Sequence, residues 1–226
     1  MFISLYLQGQ KLFMALFLTK DLDDPARSRI GVWQISESEA ELRAMTSIPS
    51  DELEEISYIK SESLRKQKLA VRALLDAMFE DKVYLSHHDN GKPYIENNSI
   101  NISITHTEKY VAVILDEDDE VGIDCEPLDR DFSAVEKKAL SDDEIDDLDE
   151  GRKNEQLAIY WCAKEAIYKL ISQYGVDFAE QIEVDGFRFH DEGDLSATFT
   201  DDDGYEHDLE LSYMTFDRHV LVWVVE

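Results

Sequence analysis

Two long segments with helical periodicity, each accompanied by short strand-like runs, limit the folds that this 226-residue chain can adopt. The first segment, residues 64–80, carries its apolar residues on one stripe at helical spacing. The second, residues 154–174, follows an acidic stretch at residues 142–150. Because each helix has its own set of strands, the pattern predicts a duplicated α/β unit with halves of roughly 100 residues.

The strand-like runs are short and either alternate or are wholly apolar, and turn residues separate them. We predict strands at residues 15–18, 31–35, 100–105, 110–115, 121–126, 182–189, 195–199, 207–213 and 219–225. A helix start is predicted at 36–39, a loop at 87–93 and a hairpin turn at 116–120. The fold class is therefore α+β, a pseudo-dimer of two similar α/β halves, each a long helix packed on a small, mostly antiparallel sheet.

The domain organisation follows from the same pattern. Residues 1–13 are assigned to an N-terminal extension, because Met14 is a second plausible start and strand character begins after it. Residues 14–116 form the predicted first half, and residues 117–226 form the second. We expect the two halves to pack face to face.

Charge and cysteine content restrict partners and location. The chain has 22 Lys and Arg against 51 Asp and Glu, a net charge of −29, which argues against nucleic-acid and anionic membrane partners. Residues 2–18 lack the length of a membrane span and the basic start of a signal peptide. The two cysteines, Cys125 and Cys162, form no CxxC pair, so a reducing, cytoplasmic location is expected.

The run from Val121 to Glu126 presents two acids to one side of a predicted strand. Residues two apart in a strand point the same way, so Asp124 and Glu126 lie side by side. Neighbouring carboxylates repel each other and are stable mainly in water or around a cation. Magnesium uses one or two protein carboxylates together with substrate phosphates. In so acidic a chain, a strand end that points into solvent is the more common alternative.

Three further clusters carry polar groups at regular spacing. Trp161, Glu165 and Lys169 share one helix face, although a Glu–Lys spacing of four is also a common surface ion pair. Residues 103–107 surround His106 with hydroxyls that could hold a phosphate, although a His at a strand end is more often structural. On the first long helix, the basic residues that share a second stripe are Arg65, Lys68 and Arg72.

The order of these segments resembles the 4′-phosphopantetheinyl transferase superfamily, in its long, surfactin-synthetase-activating type. The resemblance rests on the basic helix, Gly91-Lys92-Pro93, residues 103–107, the GxDxE of residues 122–126 and the WxxKExxxK of residues 161–169. It covers about residues 14–226 and implies two α/β halves with coenzyme A in the cleft between them. Known sites with different signatures, such as a GxxxxGK[ST] loop or HExxH, are absent from the sequence.

The resemblance also implies roles for individual residues. The implied magnesium ligands are Asp124, Glu126 and Glu165, with Glu165 also the candidate general base. The implied coenzyme A contacts are Lys169 at the pyrophosphate, Lys92 and Pro93 at the adenine, and Thr105, His106, Arg65 and Arg72 at the 3′-phosphate.

The implied reaction is transfer of the 4′-phosphopantetheine arm of coenzyme A to a Ser of an apo acyl or peptidyl carrier protein, which releases 3′,5′-ADP. A monomer is expected, with residues 135–140 as the helix that docks the carrier. One alternative is a non-catalytic coenzyme A-binding homologue that acts as a scaffold or regulator. A second is an acidic binding protein whose motif matches are accidental.

Overall fold

A computed structural model describes residues 16–22 and 27–226 of the protein. The predicted extension, residues 1–13, lies outside this range. The elements up to residue 116 are β1 (Leu16–Asp21), β2 (Ser28–Gln34), α1 (Glu39–Met45), α2 (Ser50–Ser57), α3 (Glu62–Met78), β3 (Leu85–His87), β4 (Pro93–Ile95), β5 (Asn101–His106) and β6 (Tyr110–Asp116). The elements that follow are β7 (Val121–Pro127), α4 (Ser133–Lys138), α5 (Asp142–Asp146), α6 (Lys153–Ile171), α7 (Phe178–Gln181), β8 (Ile182–Val184), β9 (Glu192–Thr200), β10 (Glu206–Phe216) and β11 (His219–Val225).

Two antiparallel sheets organise these elements. The first has the strand order β1-β2-β6-β5, and the second has the order β7-β11-β10-β9-β8. Each contains the same arrangement: a strand, a long helix, and then a hairpin whose second strand pairs with the first strand. In the first sheet these parts are β2, α3, β5 and β6; in the second they are β7, α6, β10 and β11. The α+β class with antiparallel sheets is therefore confirmed.

The core consists of three apolar clusters stacked in layers. One cluster joins α3 to one face of the first sheet, and another joins α6 to one face of the second. The third lies between the sheets, where Tyr110 and Ala112 of β6 pack against Ile123 of β7 and Leu221 of β11. Alternate residues of a strand point to opposite faces, and Val121, Ile123 and Cys125 of β7 face the layer between the sheets. Asp124 and Glu126 therefore lie on the opposite face of β7, on the side of α6.

The long helices agree closely with their predicted ranges, and the reasons are visible at their ends. Ser61 caps α3 by accepting a hydrogen bond from the Leu64 N–H, and α6 ends at Ser172 in a left-handed conformation. The start predicted at residues 36–39 is also found: Ser38 and Glu41 form a capping box at α1. None of the helices in the described ranges is long and apolar enough to cross a bilayer.

One local prediction is wrong and another is incomplete. The strand predicted at 182–189 stops at Val184, because the chain leaves the sheet and Phe187 and Phe189 pack on the α6 cluster instead. The Gln156 side-chain amide fixes this path by donating to the Phe187 carbonyl at 2.9 Å. The loop predicted at 87–93 is found at residues 88–92, where it is the tip of a hairpin. The two strands that flank it, β3 and β4, have three residues each and were not predicted.

Candidate active site

Helix α6 lies unusually close to β7 at Gly122. A Cβ atom built on Gly122 would be 2.0 Å from the backbone oxygen of Ala166, a distance that no side chain tolerates. The glycine therefore allows the helix backbone to rest directly on the strand. This contact brings the face of α6 that carries Glu165 and Lys169 over the acidic face of β7.

Asp124 is the central group of the site, with only 7% of its surface exposed. Its Oδ1 accepts hydrogen bonds from the Thr105 hydroxyl at 3.0 Å and from Lys169 Nζ at 2.7 Å. Lys169 Nζ also donates to the Ile123 carbonyl at 2.9 Å. The other oxygen, Oδ2, is buried and has no hydrogen-bond partner among the described residues.

Glu165 and Glu126 complete a group of three carboxylates. Burial raises the pKa of Glu165 to about 7, and the negative charges of Asp124 and Glu126 act in the same direction, while Lys169 opposes them. Glu126, near the end of β7, forms an ion pair with Arg130, four residues later in the chain. The structure thus brings together the four residues that the two motifs contribute: Asp124, Glu126, Glu165 and Lys169.

The carboxylate oxygens of this group are the ligands that a hard divalent cation prefers. In the structure, however, Asp124 is in an ion pair with Lys169, and Glu126 is in one with Arg130. Among residues 16–22 and 27–226, no set of three or more His, Cys, Asp or Glu side chains is arranged around a common metal position. The unpartnered Oδ2 of Asp124 is a costly feature for a buried anion, and a cation would satisfy it. A cation would also relieve the repulsion from Asp124 and Glu126, which adds to the effect of burial on the pKa of Glu165.

The predicted phosphate residues Thr105 and His106 differ in their availability. The Thr105 hydroxyl donates to Asp124 and accepts a hydrogen bond from the Cys125 N–H at 3.1 Å, so its one proton is already used. His106 ends β5 and keeps an exposed ring. The surrounding protein removes water from the imidazole, which lowers the pKa of His106, and the nearby charges of Lys169 and Lys68 lower it further.

A cleft of about 180 Å³ opens beside Lys169, the residue that is bound to Asp124. It is lined by Lys169 and by Lys92 and Pro93, the two residues that the resemblance implies as adenine contacts. Tyr168, Ser172 and Tyr174 also line it. These residues were not predicted, because Tyr168 occupies an unspecified position of the WxxKExxxK motif and the other two lie beyond the motif. Lys92 Nζ forms an ion pair with Glu120 in this arrangement.

The two arginines predicted at the 3′-phosphate are engaged elsewhere. Arg65 Nε lies 2.8 Å from Glu39, and its Nη1 donates to the Ile59 carbonyl at 2.7 Å. Arg72 is nearly buried, forms an ion pair with Glu52 through two nitrogens and donates to the Leu85 carbonyl at 3.1 Å.

Lys164, the lysine before Glu165, is fully buried and was not among the predicted site residues. Its Nζ lies 2.7 Å from Glu144 Oε2 and within 2.8 Å of the carbonyl oxygens of Ala139, Phe178 and Ile182. The side chain therefore ties the segments on both sides of α6 to the helix that carries Glu165. The fixed spacing of Lys164 and Glu165 in the motif was the only sequence signal for it.

The chain is similar to known proteins over part of its length. Residues 120–223 match the sequence model of the 4′-phosphopantetheinyl transferase superfamily. A Haemophilus influenzae protein named "Putative 4'-phosphopantetheinyl transferase" is 36% identical over 88 residues. That alignment covers 36% of this chain and 37% of the relative, little more than a third of either. The half that carries Asp124, Glu165 and Lys169 is therefore similar to the 4′-phosphopantetheinyl transferase superfamily, which supports the superfamily expected from the motifs.

Proposed function

We propose that the protein transfers the 4′-phosphopantetheine arm of coenzyme A to a serine of an apo carrier protein. The observation that carries the proposal is the meeting of three carboxylates and Lys169 beside a cleft that Lys92 and Pro93 also line. The match of residues 120–223 to the superfamily supports the same reaction class. We further propose that the chain acts as a monomer of the surfactin-synthetase-activating type, with coenzyme A bound between the halves 14–116 and 117–226.

In this proposal Asp124, Glu126 and Glu165 hold Mg²⁺. The bound ion would neutralise charge on the pyrophosphate of coenzyme A and on the leaving group. For Asp124 to serve, Oδ1 would be released by Lys169 or shared with it, or the buried Oδ2, which has no hydrogen-bond partner among the described residues, would bind the ion.

The chain's own groups supply orientation and proton transfer. Lys169, which lines the cleft, would exchange Asp124 for the pyrophosphate of coenzyme A. Glu165 would accept the proton of the carrier serine, directly or through a water molecule. Its pKa of about 7 is that of the site without a cation, and a bound cation would lower it and keep the carboxylate ionised. The serine oxygen forms a bond to the β-phosphorus of coenzyme A, and the bond from that phosphorus to 3′,5′-ADP breaks.

The adenine and phosphate ends of coenzyme A would lie along the first half. Lys92 and Pro93 sit at the cleft, and Lys92 would exchange Glu120 for the nucleotide. His106 offers an imidazole near two lysines, which suits a terminal phosphate. Thr105 remains a proposed contact of this region, and the predicted roles of Arg65 and Arg72 require their present ion pairs to open.

Helix α4 is the proposed docking surface for the carrier. Lys137 and Lys138 are exposed on it, while Val135 faces the core. Glu136 ties the helix to α6 through an ion pair with Lys153 at 3.1 Å. Exposed lysines at this position offer an acidic carrier a local attraction that the net charge of −29 does not.

Intact-mass spectrometry of an apo carrier protein tests the reaction. We expect the carrier to gain one phosphopantetheine group when incubated with the protein, coenzyme A and Mg²⁺. EDTA should abolish the gain and excess Mg²⁺ should restore it, and Glu165→Gln should slow it by a factor of about 100 or more. The exposed Glu192→Gln serves as the matched control. Coenzyme A binding without transfer to any of a panel of apo carriers would favour the non-catalytic alternative.

A further inference from the structure

The turn that joins β10 to β11 has an unusual backbone for its two residues. Asp217 and Arg218 have positive φ angles of 40° and 61°, in the left-handed region that glycine and asparagine adopt most readily. They link Phe216 to His219, the last paired residues of an antiparallel hairpin, and two-residue turns of this kind are commonly Asn-Gly. Such a backbone conformation persists where the surrounding contacts fix it. The contacts of the two residues therefore indicate what the turn holds in place.

The carboxylate of Asp217 binds the first half of the chain. It accepts a hydrogen bond from the Tyr110 hydroxyl at 2.7 Å and forms an ion pair with Lys109. Both bonds lower the pKa of Asp217, the one from Lys109 more strongly, so the carboxylate is ionised at neutral pH. Tyr110 is 1% exposed, and among the described residues its hydroxyl has no other hydrogen-bond partner. The Thr107 N–H donates to the Tyr110 carbonyl at 2.7 Å, so Tyr110 also closes the turn that follows His106.

Arg218, the other residue of this turn, binds the segment that follows Glu126. The Arg218 carbonyl accepts a hydrogen bond from the Leu128 N–H at 2.8 Å, and the Arg218 guanidinium lies 3.4 Å from the Asp129 carboxylate. Leu128 is two residues after Glu126, and Arg130, two residues further on, forms the ion pair with Glu126. The turn at residues 217–218 thus connects the turn after β5, in the first half, to the segment after β7, in the second.

We propose that Asp217 and Tyr110 are positioning residues for the transfer reaction, and that their hydrogen bond sets the orientation of the two halves beside the candidate site. This inference rests on the proposed function, in which coenzyme A lies between the halves. His106 and Glu126, which belong to different halves, would then act on one bound molecule. Because a small misplacement of reacting groups slows a reaction strongly, the junction at Asp217 would influence the rate without touching the substrate.

Two substitutions of Asp217 separate the side chain from the backbone. Glycine and asparagine both favour the left-handed region, so both keep the turn, but only asparagine retains an oxygen that can accept the Tyr110 hydrogen bond. We expect Asp217→Gly to lower kcat for carrier modification about tenfold, with little change in the KM for coenzyme A, because each half keeps its own contacts. Asp217→Asn should retain most of the wild-type kcat. Asp203→Gly, which removes the same charge from the turn between β9 and β10, within the second half, is the control and should leave kcat unchanged.

Tyr110→Phe tests the same contact from the first half. If Asp217 acts through the Tyr110 hydroxyl, Tyr110→Phe should lower kcat to a similar degree, and combining it with Asp217→Gly should lower kcat little further. Urea unfolding of each variant shows that the rates are compared on folded protein.

The outcomes separate this inference from the proposed function. A wild-type kcat in Asp217→Gly, or effects of Asp217→Gly and Tyr110→Phe that multiply in the double variant, would overturn the positioning role and leave the transferase proposal standing. An Asp217→Asn variant as slow as Asp217→Gly would exclude the Tyr110 bond as the cause, and an equal loss in Asp203→Gly would attribute the effect to net charge. Either result also overturns the inference. A wild-type protein that modifies no carrier would contradict the proposed function, and with it any role for Asp217 in transfer.

Discussion

The hydroxyl of Thr105, in the first sheet, donates a hydrogen bond at 3.0 Å to the carboxylate of Asp124, in the second. The same hydroxyl accepts a hydrogen bond from the Cys125 N–H, and two residues earlier the Ser103 hydroxyl accepts one from the Ile123 N–H. These contacts fasten the edge of β5 to β7 at the candidate site. The orientation of a proposed metal ligand in one half thus depends on a residue in the other half.

Thr105→Val should destabilise the protein and disturb the site together. The change keeps the shape of the side chain but removes the donor to Asp124 and the acceptor for Cys125, both buried. We expect a loss of about 1–3 kcal/mol in the free energy of unfolding, measured with urea, and slower carrier modification. Thr105→Ser keeps the hydroxyl and should recover most of both. Equal stability of the Val and Ser variants would show that the hydroxyl does not hold the two sheets together.

Gly122→Ala should separate α6 from β7. The added methyl group would lie 2.0 Å from the Ala166 carbonyl oxygen, and a helix backbone cannot rotate out of the way as a side chain can. We expect a loss of about 1–3 kcal/mol in the free energy of unfolding and a drop in transfer activity, because Glu165 and Lys169 move with the helix. Gly151→Ala is the control, since its new methyl group meets only the exposed side chain of Asp149, at 3.2 Å.

The sequence predicts most of the fold because periodicity reports burial on one face. The long helices α3 and α6 and the strands β5, β6, β7 and β11 were found within a few residues of their predicted bounds. The error at 182–189 has a tertiary cause: Phe187 and Phe189 alternate like a strand, yet they cover the α6 cluster without joining the sheet. Alternation alone does not distinguish these two ways of burying apolar side chains.

At the site, the sequence indicates the residue types but not their partners. Strand and helix spacing correctly placed Asp124 and Glu126 on one side of β7, and Glu165 and Lys169 on one side of α6. Spacing carries no information on which basic residues are already paired, so Arg65 and Lys68 were equivalent in the sequence. The carboxylates that distinguish them come from distant segments, such as Glu39 for Arg65. The same applies to Lys164, whose partners lie on both sides of α6.

Lys164→Met should be among the most damaging single substitutions in the second half. It would leave Glu144 buried, with 2% of its surface exposed, and three backbone carbonyls would lose the same donor. Breaking a buried ion pair on one side costs about 3–5 kcal/mol. Urea unfolding should show this loss, and Glu144→Gln combined with Lys164→Met should recover part of it. A double variant as unstable as the sum of the two single variants would indicate that the pair does not act as a unit.

The pH dependence of stability should contain a contribution from Asp116. Burial acts to raise the pKa of this carboxyl, but hydrogen bonds from Ser28 and from the N–H groups of Asp118 and Asp119 outweigh it and lower the pKa below its usual 3.8. A carboxyl with a lowered folded-state pKa stabilises the fold above its unfolded value and loses this effect as pH falls through the folded value.

Asp116→Asn should therefore destabilise the protein at pH 7, and the difference from wild type should shrink as the pH falls below about 4. Urea unfolding at pH 7, 5 and 3.5 measures the difference. Glu117→Gln is the control for loss of one negative charge in the same turn, because Glu117 is exposed. A difference that stays constant across this pH range would mean that the Asp116 hydrogen bonds do not depend on its charge.

Charge reversal on α4 should separate carrier recognition from coenzyme A binding. Lys137 and Lys138 are exposed and make no ion pair among the described residues, whereas the neighbouring Lys153 is bound to Glu136. Lys137→Glu combined with Lys138→Glu changes the net charge by −4, and an acidic carrier should then be repelled at the proposed docking surface. We expect the KM for the carrier to rise about tenfold or more, with little change in kcat or in coenzyme A affinity. The variant Lys66→Glu combined with Lys82→Glu makes the same charge change on the first half. If it raises the KM equally, long-range repulsion rather than docking at α4 controls carrier recognition.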